Sequence, residues 1–207
     1  GEAVEIRIEA YSSGSSGGSV RYNISVDNIA DESRNGIVTL SVQKARKGDR
    51  VTVTVKPDEG YQLDGLTGLL SQKSYLNRTL NLQPEDKMLI VLDLDNFKYI
   101  NDTYGHQAGD QCLKVIAECL KKAYSRYGNC YRIGGDEFCV LFRKPEKEKY
   151  CREKFYWIIE KQKKSLHMLP GASYGSALIE EQESISDTKA RADANMYANK
   201  KARKQAR

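Results

Sequence analysis

Two hydrophobic rhythms divide the chain near residue 63. Before it, apolar side chains fall on alternate positions. Val4, Ile6 and Ile8 alternate with charged residues; Val20, Tyr22, Ile24 and Val26, then Val38, Leu40 and Val42, then Val51, Val53 and Val55 repeat the pattern. A period of two buries one face of a strand and wets the other. The Ser/Gly run 12–19 reads as a flexible connection, and Lys47-Gly48-Asp49 and Pro57-Asp58-Glu59-Gly60 read as turns. Residues 1–62 are expected to form a small all-β module. At about 60 residues it is marginal alone unless it packs on a neighbour.

From residue 63 onward helix and strand patterns alternate. Residues 71–82 suit a helix, and 88–92 are a continuous apolar run fit for a buried strand. Cys112, Val115, Ile116, Cys119 and Leu120 have the spacing of a helix buried on one face, predicted over 108–127. Segments 129–133 and 138–142 read as the strands of a hairpin joined at Gly134-Gly135-Asp136-Glu137. A helix over 147–166, a strand over 172–179 and a helix over 187–204 complete an α/β sandwich with a central sheet flanked by helices.

Composition narrows the functional classes. The 207 residues are 40% hydrophobic and 29% charged, ordinary for a globular chain. No apolar run of roughly 18 residues occurs, which excludes a helical membrane span in this sequence. The chain starts at Gly1 without a signal-peptide pattern and reads as a trimmed fragment, from whose parent a sensor or anchor could have been cut away. Much of the net charge of +5 sits in Lys200, Lys201, Arg203, Lys204 and Arg207. Those cations either offset the negative pole of a final helix or meet a polyanion. Nucleic acid is not expected, because no basic stripe interleaved with aromatics accompanies them. The cysteines, Cys112, Cys119, Cys130, Cys139 and Cys151, are odd in number and lack CxxC spacing. Cys112 and Cys119 would lie roughly 10 Å apart along one helix face, too far to bridge. All five are expected to be small buried hydrophobes in a reducing, cytoplasmic setting.

The candidate chemistry is acidic. The 88–92 strand runs into Asp93-Leu94-Asp95, and ligands in α/β folds bind beyond strand ends. Carboxylates there are costly to bury unpaired, so a cation is a natural partner. If the hairpin is a neighbouring pair of strands, Asp136 and Glu137 join them. Hard oxygen ligands with open positions suit Mg²⁺ completed by substrate phosphates, and two such ions with a triphosphate make a phosphoryl-transfer site. Gly134 and Gly135 permit positive φ and close approach of backbone to phosphate. Alone, the same turn is a plain hairpin connection. In the segment that follows, Lys98 can pair with phosphate. Asn101 and Asp110 carry the hydrogen-bonding groups to read guanine edges, or else cap helices. His106 by itself reads as a loop histidine.

Five segments together resemble the GGDEF family of diguanylate cyclases over about residues 63–205. They are Asp64-Gly65-Leu66-Thr67-Gly68-Leu69, the run 92–110, Arg132-Ile133-Gly134-Gly135-Asp136-Glu137-Phe138, Ser173-Tyr174-Gly175-Ser176-Ala177, and Ala192-Asp193 with Met196-Tyr197 and Lys200. The resemblance implies a nucleotidyl-cyclase fold similar to polymerase palm domains. It implies condensation of two GTP to cyclic di-GMP with release of two pyrophosphates, by a homodimer in which each domain holds one GTP. It implies Mg²⁺, two per site with Mn²⁺ as a substitute, on the Asp93 and Asp136 carboxylates and the Leu94 carbonyl, with Glu137 close by. Asp136 would also be the candidate base, Lys98 and Lys200 would meet phosphates, and Asn101 and Asp110 would read guanine with His106 nearby.

Some positions depart from the family. Ser71-Gln72 replace its usual Asn-Arg, Asn195 and Asn199 replace small residues, and Arg203-Lys204 stand for its Gly-Arg. Lys204 keeps a charge for phosphate but not the bidentate fork. The family's inhibitory Arg-x-x-Asp falls here on Ser125-Arg126-Tyr127-Gly128, so product inhibition through that site is not expected. The alternative to an active cyclase is a GTP-binding regulatory domain with little turnover. Residues 35–66 resemble, over a short stretch, repeat modules of bacterial surface proteins, which would make the first part a binding or adhesion unit or a fusion partner.

Overall fold

A computed structural model of the chain describes residues 6–11, 21–26, 36–40, 44–46, 53–57 and 61–205, with side chains at residue 46 and over 61–201. The chain divides into two units, 1–61 and 62–207. In the first unit the strands are β1 (Ile6–Tyr11), β2 (Arg21–Val26), β3 (Gly36–Leu40), β4 (Lys44–Arg46) and β5 (Val53–Pro57). They pair antiparallel as β1-β2-β4 and, separately, β3-β5. The expected strand positions Val4, Val20, Val42 and Val51, the run 12–19 and the turns at 47–49 and 58–60 lie outside the described residues. These strands alone do not establish the all-β module expected over 1–62, nor its likeness to surface repeats.

The second unit runs α1 (Gln72–Leu80), β6 (Met88–Leu94), α2 (Phe97–Tyr104), α3 (His106–Tyr124), β7 (Gly128–Arg132), β8 (Glu137–Phe142), α4 (Glu148–Lys163), β9 (Ala172–Leu178) and α5 (Ile185–Gln205). Its sheet is antiparallel throughout, in the order β7-β8-β6-β9. Side-chain alternation sorts the strands into two cores. Ile90, Leu92, Leu94, Phe138, Val140 and Phe142 face α3 and α4, where they meet Leu113, Ile116, Leu120 and Phe155. Leu89, Val91, Tyr131, Cys139 and Leu141 face the other way, onto Tyr75 of α1 and Ala192 of α5. The sheet is thus covered on both faces, which explains why β6 and β8 read as unbroken apolar runs. The five cysteines are free and buried in these cores.

The elements differ from the sequence expectation in two places that matter for the site. β6 continues two residues past the predicted end, so Asp93 and Leu94 lie within the ladder and not beyond it. Helix α2, which the pattern did not assign, fills the segment after it, and α3 begins at His106 rather than 108. At α1, the Ser71 hydroxyl accepts from the Ser74 N–H at 3.3 Å and caps the first turn.

Candidate active site

The antiparallel pairing of β6 with β8 brings the two acidic segments together. Asp93 stands opposite Glu137 on β8 and opposite Ser173 on β9. One step along, the Leu94 N–H donates to the Asp136 carbonyl at 3.3 Å. Asp95 accepts from the Ser173 hydroxyl at 2.6 Å, which ties the second carboxylate of the strand end to β9. Asn96 then takes a left-handed conformation, φ 56°, and turns the chain directly into α2. Asparagine is among the few non-glycine residues that accept this geometry readily.

The hairpin turn is held from inside by Arg132. Its Nε donates to the carbonyls of Gly134 and Gly135, each at 3.2 Å, and Nη2 donates to Gly135 O at 2.8 Å. Its Nη1 pairs with Asp64 Oδ1 at 3.2 Å. Asp64 also accepts from Thr67, from the N–H at 2.9 Å and from the hydroxyl at 2.6 Å. Burial alone would raise the Asp64 carboxyl, but Thr67 and Arg132 outweigh it and hold the group below the ordinary carboxylate range. Arg132 is a residue of this turn to which sequence reasoning gave no role of its own. Its place at the head of the hairpin motif was visible, but its partner lies 68 positions away.

The glycine pair works differently from the expectation. Among the described residues the glycines with positive φ are Gly68 and Gly105, so left-handed backbone is not what Gly134 and Gly135 supply. A Cβ on Gly134 would lie 3.0 Å from Glu137 Oε2, so its bareness makes room for that carboxylate. Gly135 has open space where its side chain would be, leaving that backbone approachable.

Lys200 reaches in from α5 and pairs with Asp93, Nζ to Oδ1 at 2.5 Å. The Asp136 carboxyl is raised, first by burial and then by the charge of Asp93; Lys200 and Arg132 pull the other way without cancelling it. Two carboxylates that repel at partly buried positions fit a cation. Among the described residues no three His, Cys, Asp or Glu side chains converge as a stand-alone metal cage. The Asp93 and Asp136 carboxylates offer hard oxygen donors of the kind that divalent cations take.

The structure brings together Asp93, Leu94, Asp136, Glu137, Gly134 and Lys200, and it places the remaining candidates on α2 and α3. Asn101 lies inside α2, and Asp110 is past the first turn of α3, whose cap is Gly105; neither side chain caps a helix. Asn101 packs over Gly109, where a Cβ would fall 1.9 Å from Asn101 Oδ1. Lys98, His106 and Asp110 stand exposed. Lys204 is on α5, but its side chain lies outside the described residues.

Comparison with known proteins gives this geometry a family. The model of the "Diguanylate cyclase, GGDEF domain" family matches residues 61–206. The diguanylate cyclase DgcZ of Escherichia coli K12 is 37% identical over 94 residues, 44% of this chain and 32% of its own length. The probable diguanylate cyclase DgcI of the same strain is 32% identical over 145 residues, 67% of this chain and 31% of its own length. The chain thus spans about a third of the length of these relatives. The crystal structure of the GGDEF domain of DgcB from Caulobacter crescentus, in complex with c-di-GMP, superposes with a TM-score of 0.58 at 30% identity, covering 72% of this chain and 94% of that one. The diguanylate cyclase SiaD of Pseudomonas aeruginosa, in complex with its activator SiaC, gives a TM-score of 0.59 at 28% identity, covering 68% and 58%.

Proposed function

We propose, from the premise that this chain belongs to the GGDEF family of diguanylate cyclase domains, that it condenses two GTP to cyclic di-GMP and releases two pyrophosphates. The observation that carries this reading is the meeting of Asp93 and Asp136 at paired strand ends, with the Asp136 carboxyl raised and a cation already drawn to Asp93. In each half-reaction the 3′-oxygen of one GTP forms a bond to the α-phosphorus of the other. The bond from that phosphorus to the pyrophosphate oxygen breaks, and the 3′-hydroxyl proton leaves to a base.

Asp136 is the candidate for that base, a carboxylate at the turn whose pKa burial and the charge of Asp93 push upward when no metal is bound. The carboxylates of Asp93 and Asp136 and the carbonyl of Leu94, with Glu137 beside them, would hold Mg²⁺, or Mn²⁺ in its place. When bound, the metal would neutralise phosphate charge and lower the pKa of an oxygen bound to it. Lys98 and Lys200 would place positive charge on the phosphates, with Lys204 as a further cation on α5. Asn101 and Asp110 would read guanine, with His106 nearby. Gly135 leaves its backbone open to the phosphates, and Gly134 accommodates Glu137.

One GTP per domain requires two domains face to face, so the active species is a homodimer. Free, buried cysteines accord with a reducing, cytoplasmic setting. No helix among the described residues is long and apolar enough to cross a membrane. The strands of residues 1–61 are read as an accessory or fusion unit outside the chemistry. The test is product analysis after incubating a dimer-forced chain with GTP and Mg²⁺. Cyclic di-GMP is expected from the native sequence and not from Asp136→Ala. GTP binding with no product from either would favour the regulatory alternative.

A further inference from the structure

Among the described residues, the position of β9 at the edge of the sheet leaves one side of its backbone without a strand partner. Such an edge normally presents a row of unpaired polar groups. The Ile179 N–H donates to Lys87 O at 2.9 Å, which marks this pair as one whose polar groups face each other. Alternation along an antiparallel ladder then turns Ser173, Gly175 and Ala177 toward β6, and the carbonyls of Tyr174, Ser176 and Leu178 away from it.

Each of those three outward carbonyls accepts from a side chain of α5. Arg191 Nη2 donates to Leu178 O at 2.7 Å, Asn195 Nδ2 to Ser176 O at 2.9 Å, and Asn199 Nδ2 to Tyr174 O at 3.0 Å. The donors are spaced by four along the helix and the acceptors by two along the strand, in opposite directions. Four helical residues advance about 6 Å and two strand residues about 6.8 Å, so the rungs stay in step over this length. Between rungs the two backbones touch: a Cβ on Gly175 would lie 2.1 Å from Ala192 O and 2.4 Å from Met196 N. Lys200, the next residue after the last rung, carries the ammonium that meets Asp93 on β6.

We propose that Asn195 and Asn199, with Arg191, are positioning residues: they fix the register of α5 along β9 and thereby deliver Lys200 to the acidic site. A slip of one rung would carry Lys200 about 6 Å along the helix axis, beyond the reach of a hydrogen bond. A small residue at 195 or 199 could pack there but has no donor for the carbonyl. This inference rests on the reading that Lys200 serves the phosphates of GTP. Arg191 is also held by Glu183 and, at 3.4 Å, by Glu180, so the two asparagines are the rungs that can be removed cleanly.

The test uses the full chain carrying Asn195→Ala with Asn199→Ala, and Asn199→Ala alone. Amide hydrogen exchange over 196–201 reads the hold on α5. Equilibrium affinity for a non-hydrolysable GTP analogue with Mg²⁺, with Lys200 present and in a Lys200→Ala background, reads its delivery. Exchange over 196–201 is expected to quicken about tenfold in the double variant, with β6 and β8 unchanged. Affinity is expected to fall about threefold to tenfold where Lys200 is present and not to fall further where it is absent. Unchanged exchange, or an equal affinity loss in both backgrounds, would overturn the proposal. If Lys200→Ala alone leaves affinity intact while the double variant exchanges faster, the delivery of Lys200 is overturned because its role on GTP fails, and not because α5 is held otherwise.

Discussion

Lys200 and Asp93 form an ion pair of 2.5 Å across 107 positions of sequence, joining the last helix to the strand that carries the acidic site. The pair gives the Asp93 carboxylate a cationic partner from α5. Replacing the lysine with methionine removes a charge that serves either Asp93 or a phosphate. Affinity for GTP is expected to fall about tenfold or more, the scale of one charge-assisted contact. Isothermal titration with a non-hydrolysable analogue checks this; unaltered affinity would remove Lys200 from the site.

Asp136 has a raised carboxyl for reasons of burial and the neighbouring charge of Asp93. In the metal-free chain its ionised form therefore opposes folding. Asp136→Asn should raise the thermal midpoint in EDTA at neutral pH while abolishing cyclic di-GMP formation. A lower midpoint would show that the carboxylate is not strained by its surroundings.

The clamp of Arg132 on the hairpin turn predicts a pH dependence through Asp64. Its folded carboxyl is held low, so its contribution to stability is present above the ordinary carboxylate range and is lost as pH falls through the lowered value. Asp64→Asn is expected to cost about 1 kcal/mol at neutral pH, the scale for a partly exposed, hydrogen-bonded pair. The gap from the parent chain should close in acid. Denaturant titrations of both proteins across pH measure it, and a gap that does not change with pH would contradict the assignment.

Gly109 gives Asn101 its place, since a Cβ there would overlap Asn101 Oδ1. Gly109→Ala is favourable for helix formation itself, so its effect should appear in recognition. The preference for GTP over ATP is expected to fall about fivefold to tenfold, the scale of one hydrogen bond. Competition binding with the two nucleotides decides it; an unchanged preference would detach Asn101 from guanine reading.

Product inhibition offers a different kind of test. Arg126 lies exposed with its guanidinium 5.6 Å from the Tyr127 ring, in a window that lacks the family's inhibitory pattern. Micromolar cyclic di-GMP should leave the initial rate unchanged. Inhibition that disappears in Arg126→Ala would overturn this expectation.

What could be read from the sequence was whatever depended on local periodicity and on strand ends. The apolar run of β6 and the hairpin β7–β8 announced that Asp93 and Asp136 could meet, and the antiparallel pairing brings them there. Helix α2 was not legible because Ile100 is its one buried residue and the polar run after it hides the period. The role of Arg132 depends on backbone carbonyls and on distant Asp64, neither of which leaves a local pattern. Asn195 and Asn199 stood out only as departures, because nothing in a local window says that β9 is an edge strand. In the first unit, β4 is three residues of Lys-Ala-Arg, too short and polar to show a rhythm.

The most direct measurement is the initial rate of cyclic di-GMP formation from GTP and Mg²⁺ as a function of protein concentration, with Asp136→Ala alongside. A rate that rises with the square of concentration at low protein, and is absent in the variant, is the expected result. Saturable GTP binding with no cyclic di-GMP at any concentration, or equal product from the Asp136→Ala protein, would contradict it.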